Sequence, residues 1–337
     1  MKLYLKKLAI SIFLVLAPLI PSHFLRKLFY NRITNYLLDT RLLPDELVLR
    51  PARNVSVNVL CNPHIYVHQS YYWCGVFYEE EVENYMLREI KAGDTVIDVG
   101  MNVGHVSIPA AKLVGAQGRV IAFEPNTNLV KQVEALALQQ GLSQLTIKPY
   151  GLGMQPGTFA LRIDTKHTGG ATFRTLTDNA EFDMTIEAKV ENGDIVLNQE
   201  KLPGRVFLKM DIEGFELCAL QGLVDTLKTV NHAIIEISPE WLKPDELLAL
   251  SNLMQAAHFD AYYLTNSGKR AAPIAIQDLS TQANILFIKT KKSVSAKLGH
   301  VKTAKTLKNW LFKLNSALHL DFKHLVFKLS RARVARF

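Results

Sequence analysis

Between residues 93 and 290 the sequence alternates short apolar runs with longer stretches of helical spacing. The apolar runs have the length of buried strands, and they lie at residues 95–99, 119–123, 145–149, 206–210, 233–237, 261–264 and 284–290. The helical stretches lie between them, at residues 106–114, 128–140, 215–226 and 244–257. This alternation predicts a doubly wound α/β sheet with helices on both of its faces.

Two segments fall outside that alternation. Residues 158–163 and 184–190 have β character and are separated by Gly169 and Gly170, which predicts an inserted hairpin or lid. Residues 46–92 form an N-terminal cap region before the main domain at 93–290. The aromatic side chains of this cap either line a substrate cleft or cover a sheet edge, and they are Tyr66, Tyr71, Tyr72, Trp73, Phe77 and Tyr78.

The N-terminal segment, residues 1–45, contains an uncharged run at positions 8–20. A helix of that length spans about 20 Å, which is short of the roughly 30 Å hydrocarbon core of a bilayer. No small-x-small cleavage site follows the run. We therefore predict a helix that lies at a membrane interface or docks on the core, with an export signal and a full membrane span as the alternatives.

The C-terminal segment, residues 291–337, combines an apolar stripe with a lysine-rich opposite face. The stripe has helical spacing and consists of Leu307, Leu311, Leu314, Leu318, Phe322, Leu325 and Leu329. This pattern predicts a basic amphipathic tail that contacts an anionic membrane surface. The alternative is a helix packed on its own domain with a solvated basic face.

The formal net charge of +8 is concentrated in that tail. Residues 289–337 contain thirteen lysines and arginines and one acid, Asp321, so the rest of the chain carries a net charge of −4. A mildly acidic body without a nucleic-acid-binding module disfavours nucleic acid as a partner. Cysteines 61, 74 and 218 match neither a disulfide framework nor a zinc pattern, which favours a reducing compartment and implies no structural metal. A divalent metal held by Asp211, Glu213 and a substrate diol is an alternative, but acids without a histidine do not specify one, so no metal is predicted.

The first predicted strand ends in a glycine-containing loop from Asp98 to Gly104. Gly100 and Gly104 permit a tight turn and the close approach of a ligand to the backbone, and the helix that follows offers unpaired N–H groups. The spacing is G-x-x-x-G, so neither the dinucleotide fingerprint nor the ATP phosphate loop is present. The loop therefore predicts a nucleotide-like pocket that does not bind NAD or ATP.

The second predicted strand ends at Glu124, 26 residues after Asp98. A carboxylate at this strand end can accept hydrogen bonds from both hydroxyls of a ribose. Taken alone, Glu124 could equally be a solvated strand end. In combination with the preceding loop it predicts a nucleoside ligand.

The fourth predicted strand is followed by Asp211, Glu213 and Glu216. Open α/β sheets bind ligands at this edge, and crowded carboxylates are costly unless something cationic or protic is bound to them. The structural alternative is that Asp211 caps the next helix while the two glutamates favour its positive end. We interpret Asp211 and Glu213 as functional residues and Glu216 as structural.

Together the three blocks, residues 98–104, 123–125 and 209–216, resemble the FkbM family of S-adenosylmethionine-dependent methyltransferases. The resemblance covers residues 93–238. It implies the class I methyltransferase fold, a Rossmann-like seven-stranded sheet of order 3-2-1-4-5-7-6 with an antiparallel last strand. It also implies S-adenosyl-L-methionine as the cofactor and transfer of a methyl group to a hydroxyl of a sugar, polyketide or related metabolite.

Carried over residue by residue, the resemblance assigns cofactor contacts to Asp98, Gly100, Asn102, Gly104 and Glu124, with the last on the ribose. Asp211 and Glu213 would face the reaction centre, where either is a candidate general base for an alcohol acceptor. Glu236 is a weaker candidate, and three histidines are held in reserve: His105, His167 and His232. At positions 101 and 105 this chain has methionine and histidine, where alanine and an aromatic residue are common in the family.

The expected activity is therefore O-methylation of a hydroxyl on a sugar, glycan or glycolipid-type acceptor. The alternative is a membrane-associated binding or scaffold protein that keeps the fold without catalysis. Because S-adenosylmethionine is a cytosolic metabolite, we expect a cytoplasmic location, peripheral on the inner face of a membrane.

Overall fold

The computed structural model describes residues 46–164, 170–174 and 182–290, together with Ile12, Leu43 and Pro44. Its strands are β1 (Val48–Ala52), β2 (Val57–Cys61), β3 (Thr95–Val99), β4 (Arg119–Phe123), β5 (Leu145–Lys148), β6 (Gly151–Gly153), β7 (Gly157–Ile163), β8 (Met184–Asn192), β9 (Val206–Met210), β10 (Val230–Ile237), β11 (Phe259–Leu264), β12 (Arg270–Pro273) and β13 (Ala283–Lys289). Its α-helices are α1 (Tyr66–Cys74), α2 (Glu80–Glu89), α3 (Ser107–Val114), α4 (Thr127–Gln139), α5 (Gly193–Leu197), α6 (Glu216–Gln221) and α7 (Pro244–Ala256). Short 3₁₀ helices lie at Thr226–Lys228 and Ile276–Asp278.

The central sheet has eight strands in the order β12-β11-β13-β10-β9-β3-β4-β5. Strands β10, β9, β3, β4 and β5 are mutually parallel, whereas β13 pairs antiparallel with β10 and β11. The predicted α/β class is therefore confirmed. The eighth strand was not predicted, because Arg270–Pro273 is a short, largely exposed edge strand without an apolar run.

The middle of the sheet is fully buried. Every residue of β3 and of β9 is buried, which explains their continuous apolar sequences. Each strand nevertheless contains one charged residue, and the two, Asp98 and Lys209, are register partners across the β3–β9 pair. The sheet thus carries an aspartate and a lysine side by side at its centre.

The observed α6 is shorter than the helix predicted at residues 215–226. It ends at Gly222, where an added Cβ would lie 2.0 Å from the carbonyl oxygen of Gly153. The helix stops where the chain packs directly against β6. The separate 3₁₀ turn at Thr226–Lys228 continues the connection.

The predicted insertion is a hairpin. Strand β7 pairs antiparallel with β8 along its whole length, and β6 adds to β8 to give a three-stranded sheet. Thr172 forms an isolated bridge with Arg162, so residues 170–174 lie against this hairpin. Whether it acts as a lid stays a prediction.

The cap region contributes a two-stranded hairpin, β1 and β2, followed by α1 and α2. Tyr71, Tyr72 and Trp73 on α1 are buried, and their side chains form part of the hydrophobic core. Phe77 and Tyr78, in the turn before α2, line the main cavity.

Among the described residues, no helix combines the length and the apolar character that crossing a membrane requires. The run at residues 8–20, apart from Ile12, and the tail at 291–337 lie outside the described residues. The predictions made for them therefore stay predictions.

Candidate active site

A cavity of about 690 Å³ opens at the carboxyl ends of β3, β4, β9 and β10. Open α/β sheets bind their ligands at this edge. Six of the seven residues predicted from the sequence line it, and these are Asp98, Gly100, Asn102, Glu124, Asp211 and Glu213. Gly104 does not line it.

Gly100 makes the turn after β3 possible. Its φ of 91° is in the left-handed region, and an added Cβ would lie 1.9 Å from the carbonyl oxygen of Asp211. The amide N–H groups of Gly100 and Met101 donate to the carbonyl of Phe123 at 3.0 Å. Gly100 therefore brings the ends of β3, β4 and β9 into direct contact.

Gly104 has a packing role. Its φ is 82°, and an added Cβ would lie 2.9 Å from Cγ1 of Val133 on α4. The glycine lets the start of α3 approach α4. Gly104 is not a lining residue of the cavity, and its predicted contact with the cofactor stays a prediction.

Asp98 is 1% exposed and lies at the floor of the cavity. Its Oδ2 accepts a hydrogen bond from the hydroxyl of Ser107, the first residue of α3. Burial raises the pKa of Asp98 to about 6, although the bond from Ser107 and the charge of Lys209 oppose the rise.

Glu124 is held by the backbone on both sides of its carboxylate. Its Oε2 accepts from the amide of Asn102 and its Oε1 from the amide of Asn126, each at 2.8 Å. Burial raises the pKa of Glu124 to about 7, and these two bonds limit the rise. A carboxylate has about four acceptor positions, so positions remain for a ligand.

Asn102 has a left-handed backbone, with a φ of 51°. Its side-chain Oδ1 is buried and has no hydrogen-bond partner among the described residues. A buried acceptor without a partner is costly and points to a donor supplied from outside the chain. We call the part of the cavity formed by Asp98, Asn102 and Glu124 the loop side.

The opposite part of the cavity contains Glu79, Lys209, Asp211 and Glu236, and we call it the acidic side. Carboxylate oxygens of Glu79, Asp211 and Glu236 lie within 4.8 Å of one another. Burial, the charge of Asp211 and a hydrogen bond to Asp211 hold the pKa of Glu236 well above its usual range. Burial and the neighbouring carboxylate thus favour the protonated form of Glu236, which is hydrogen-bonded to Asp211.

Lys209 supplies the positive charge of the acidic side. Its Nζ lies 3.6 Å from Oδ2 of Asp211 and 3.7 Å from Oε2 of Glu79, and it donates to Oδ1 of Asn284 at 3.2 Å. Asn284 in turn donates to Glu79. The side chain of Lys209 is only 6% exposed, so this cation belongs to the interior of the site.

The turn after Asp211 places two more carboxylates. Glu213 has a φ of 48°, and its carbonyl accepts from the hydroxyl of Thr172 at 2.7 Å. Burial and the charges of Asp211 and Glu216 raise the pKa of Glu213. Glu213 thus lines the cavity but is tied by its backbone to residues 170–174.

Glu216 lies beneath the turn, 2% exposed. Its Oε1 accepts from the amides of Gly214 at 3.0 Å and Ile212 at 3.3 Å, whereas its Oε2 is buried without a partner among the described residues. Burial raises its pKa to about 7 despite these bonds. This arrangement fits the structural interpretation of Glu216, because it shapes the turn that carries Asp211.

The reserve histidines are engaged elsewhere. His105 lines the cavity, but its Nε2 donates to the carbonyl of Leu60 at 2.7 Å, and burial lowers its pKa to about 4. His232 is hydrogen-bonded to Tyr85 at 2.7 Å and is not a lining residue of the cavity. His167 lies outside the described residues.

Sequence reasoning missed Glu79, Asn284 and the role of Lys209. A lysine within the apolar strand sequence of β9 was the available signal, because a buried charge needs a partner. No local pattern marks Glu79 or Asn284, which come from the cap and from the last strand of the sheet.

Comparison with known proteins shows what this domain is similar to. Residues 98–263, just under half of the chain, match the family model described as the methyltransferase FkbM domain. The predicted resemblance to FkbM methyltransferases is therefore confirmed, and the matched region contains the glycine loop, Glu124 and the acidic turn at Asp211.

A curated relative is the hexuronic acid methyltransferase AglP of Haloferax volcanii, which is 31% identical over 162 residues. The match covers 47% of this chain and 62% of that protein, so the chain spans about three fifths of its relative's length.

Solved structures with similarity include the FkbM methyltransferase of Methylobacillus flagellatus, with 19% identity and a TM-score of 0.37 over 58% of this chain and 43% of that one. They also include an S-adenosylmethionine-dependent O-methyltransferase of Thermotoga maritima, with 14% identity and a TM-score of 0.36 over 76% of this chain and 97% of that one.

Proposed function

We propose that the domain matched by the FkbM model is an S-adenosylmethionine-dependent O-methyltransferase whose acceptor is a hydroxyl of a sugar or glycan. The observation that carries this proposal is the meeting of the two sides in one cavity: a loop side with a backbone-held carboxylate, Glu124, and an acidic side with Asp211. A cavity of about 690 Å³ is within the range of roughly 300–1,000 Å³ typical of ligand sites.

The residues of the loop side fit the cofactor. The unpartnered Oδ1 of Asn102 would accept from the ammonium of its methionine part, and Glu124 would accept from the ribose hydroxyls. Asp98 adds a buried carboxylate toward a ligand that carries both an ammonium and a sulfonium. When bound, S-adenosylmethionine supplies an electrophilic methyl group with a neutral thioether as the leaving group.

The chain itself must align the acceptor and take up its proton. We assign the role of proton acceptor to Asp211. Its Oδ2 faces Lys209, and it lines the cavity beside Glu236. As the acceptor O–H bond breaks, its electron pair becomes available on oxygen for the new bond to carbon, and the proton passes to the Asp211 carboxylate. Glu213 is the second candidate for this role and would orient the acceptor hydroxyl.

The acceptor class rests on the relative and on the chemistry of the cavity. The Haloferax relative is named for methylating a hexuronic acid, which favours a sugar acceptor here. Carboxyl and amide groups suit the recognition of neighbouring hydroxyls. The cavity offers them in Glu79 and Asp211 of the acidic side and in the adjacent Asn284.

The proposal is tested in two steps with the full-length protein. Calorimetry with S-adenosylmethionine and with its demethylated product should give saturable binding; the absence of binding by folded protein would leave the scaffold alternative in its place. Labelled methyl transfer to a panel of neutral sugars, amino sugars, hexuronic acids and glycolipids then identifies the acceptor. Transfer only to non-carbohydrate hydroxyls would overturn the sugar assignment.

A cytoplasmic location on an anionic membrane surface remains part of the proposal, through the tail at residues 291–337. Sedimentation with anionic vesicles should deplete the full-length protein from the supernatant but not a variant that lacks the tail. Equal partitioning of the two proteins would remove the tail from this role.

A further inference from the structure

Lys209 is a buried cation to which the proposed function assigns no role. It lies in the middle of the sheet, and its ammonium is the only lysine or arginine head group among the described residues that line the cavity. Its three neighbours, Glu79, Asp211 and Asn284, come from the cap, its own strand end and β13. It therefore joins segments that are far apart in the sequence.

Asp211 lies within an excess of acidic groups. Asp98 faces it from β3, Glu236 from β10, Glu79 from the cap, and Glu213 and Glu216 from its own turn. A positive charge beside a carboxylate favours its ionised form. Among the described groups that face Asp211, Lys209 carries the opposite charge, and its Nζ lies 3.6 Å from Oδ2 of Asp211.

The ammonium stays charged in this place. Burial alone would lower the pKa of Lys209, but Glu79 and Asp211 outweigh burial and raise the pKa above its usual range. Lys209 is thus a permanent positive charge at the pH values at which an enzyme of this kind is assayed. It cannot itself accept the proton of an acceptor hydroxyl.

We infer that Lys209 is a positioning residue for the methyl-transfer reaction: its ammonium holds Asp211 as an oriented carboxylate, ready to accept the acceptor's proton. This inference rests on the proposed function. Since the hydrogen bond from Glu236 and the ammonium of Lys209 both act on the same carboxylate, they restrict its orientation as well as its charge. A positively charged group that only docked the cap through Glu79 would not affect the proton uptake by Asp211.

The test replaces Lys209 by methionine, which keeps the length of the side chain and removes its charge. We expect turnover near neutral pH to fall by about tenfold or more, and the acid limb of the pH–rate profile to move upward by roughly one to three pH units. Binding of the demethylated cofactor should persist. Glu79→Gln is the matched control, because it breaks the ion pair with the cap but leaves Lys209 beside Asp211, and its acid limb should not move upward.

A second readout does not require activity. In protein with carbon-13 in the aspartate carboxyl groups, the signal of Asp211 is identified by its loss in Asp211→Asn. Its titration midpoint should rise in Lys209→Met and not in Glu79→Gln. If no acceptor is methylated but this midpoint rises, the proposed function fails and the Lys209–Asp211 coupling stands.

Other outcomes overturn the inference. An acid limb that does not move in Lys209→Met, or one that moves upward equally in Lys209→Met and Glu79→Gln, would reduce Lys209 to a structural ion pair. Should Lys209→Met fail to fold, Lys209→Arg retains the charge, and its acid limb should stay within about half a pH unit of the wild type. An upward movement in that charge-conserving variant would equally contradict the inference.

Discussion

The two sides of the cavity stabilise their carboxylates in different ways. On the loop side Glu124 is held by backbone amide N–H groups, one from Asn102 in the loop after β3 and one from Asn126 just after Glu124 itself. On the acidic side Asp211 is held by a lysine side chain and by a second carboxyl, Glu236. The partners on the loop side are backbone donors fixed by the turns that carry them, whereas the partners on the acidic side are side chains of β9 and β10.

The two kinds of partner suit different tasks, recognition of a ligand on the loop side and proton uptake on the acidic side. Fixed backbone donors hold the loop-side carboxylate of Glu124 in one orientation, which suits recognition of a ligand. A carboxylate balanced by an ammonium and a neighbouring acid can gain and lose a proton, which a base requires. We therefore expect changes on the loop side to affect binding and changes on the acidic side to affect turnover.

The largest effect is expected from Asp211→Asn on the acidic side. The amide cannot take up the acceptor proton, and removal of a general base lowers turnover by about 10²–10⁴-fold. Cofactor affinity should be nearly unchanged in calorimetry. Asp260→Asn, at an exposed position on β11, is the control and should retain turnover. Wild-type turnover in Asp211→Asn would remove Asp211 from the reaction.

The contact between the two sides is tested by Gly100→Ala. The new Cβ meets the carbonyl of Asp211, and the φ of 91° is strained for alanine, so the free energy of unfolding should fall by about 3 kcal/mol or more. Gly93→Ala is a matched control with a φ of 88° and open space around the Cβ, and it should lose only about 1–2 kcal/mol. Equal losses in urea unfolding would show that backbone strain alone is responsible.

Glu124→Ala addresses recognition on the loop side. The amides of Asn102 and Asn126 lose a charged acceptor, and we expect the dissociation constant of the demethylated cofactor to rise about 10–100-fold. The exposed Glu134 on α4 gives the control variant Glu134→Ala, with the same change in net charge. A fall in turnover at saturating cofactor, with affinity unchanged, would break the division between the two sides.

Glu216→Gln asks whether backbone donors alone compensate a buried carboxylate. The pKa of Glu216 rises from 4.5 to about 7, so the folded protein holds this proton more tightly than the unfolded chain does. Ionisation of Glu216 therefore lowers the free energy of unfolding as the pH rises from 4.5 to 7, and this loss is complete above pH 7. The glutamine variant should be about 3 kcal/mol more stable near pH 8 and equal to the wild type below about pH 4. A constant difference at every pH would contradict this assignment.

Local patterns predicted much of the sheet and the loop side. Three predicted strands have the observed bounds, Thr95–Val99, Arg119–Phe123 and Val206–Met210, because a buried parallel strand needs a continuous apolar run. The loop between Asp98 and Gly104 was recognisable because left-handed turns and close backbone approach require glycine. The edge strand β12 was missed because it is short, largely exposed and without an apolar run, and the end of α6 was missed because it depends on packing against Gly153, which is distant in the sequence.

The sequence by itself determined which residues stand at the ends of β3, β4 and β9, since strand ends and the turns after them are set by local composition. Only the tertiary structure decided what surrounds Asp211. Glu79 and Glu236 reach it from the cap and β10, and Asn284 reaches its neighbour Lys209 from β13; no spacing along the chain encodes their meeting. The charge balance of a buried site depends on distances in space, and the register of the strands supplies those distances.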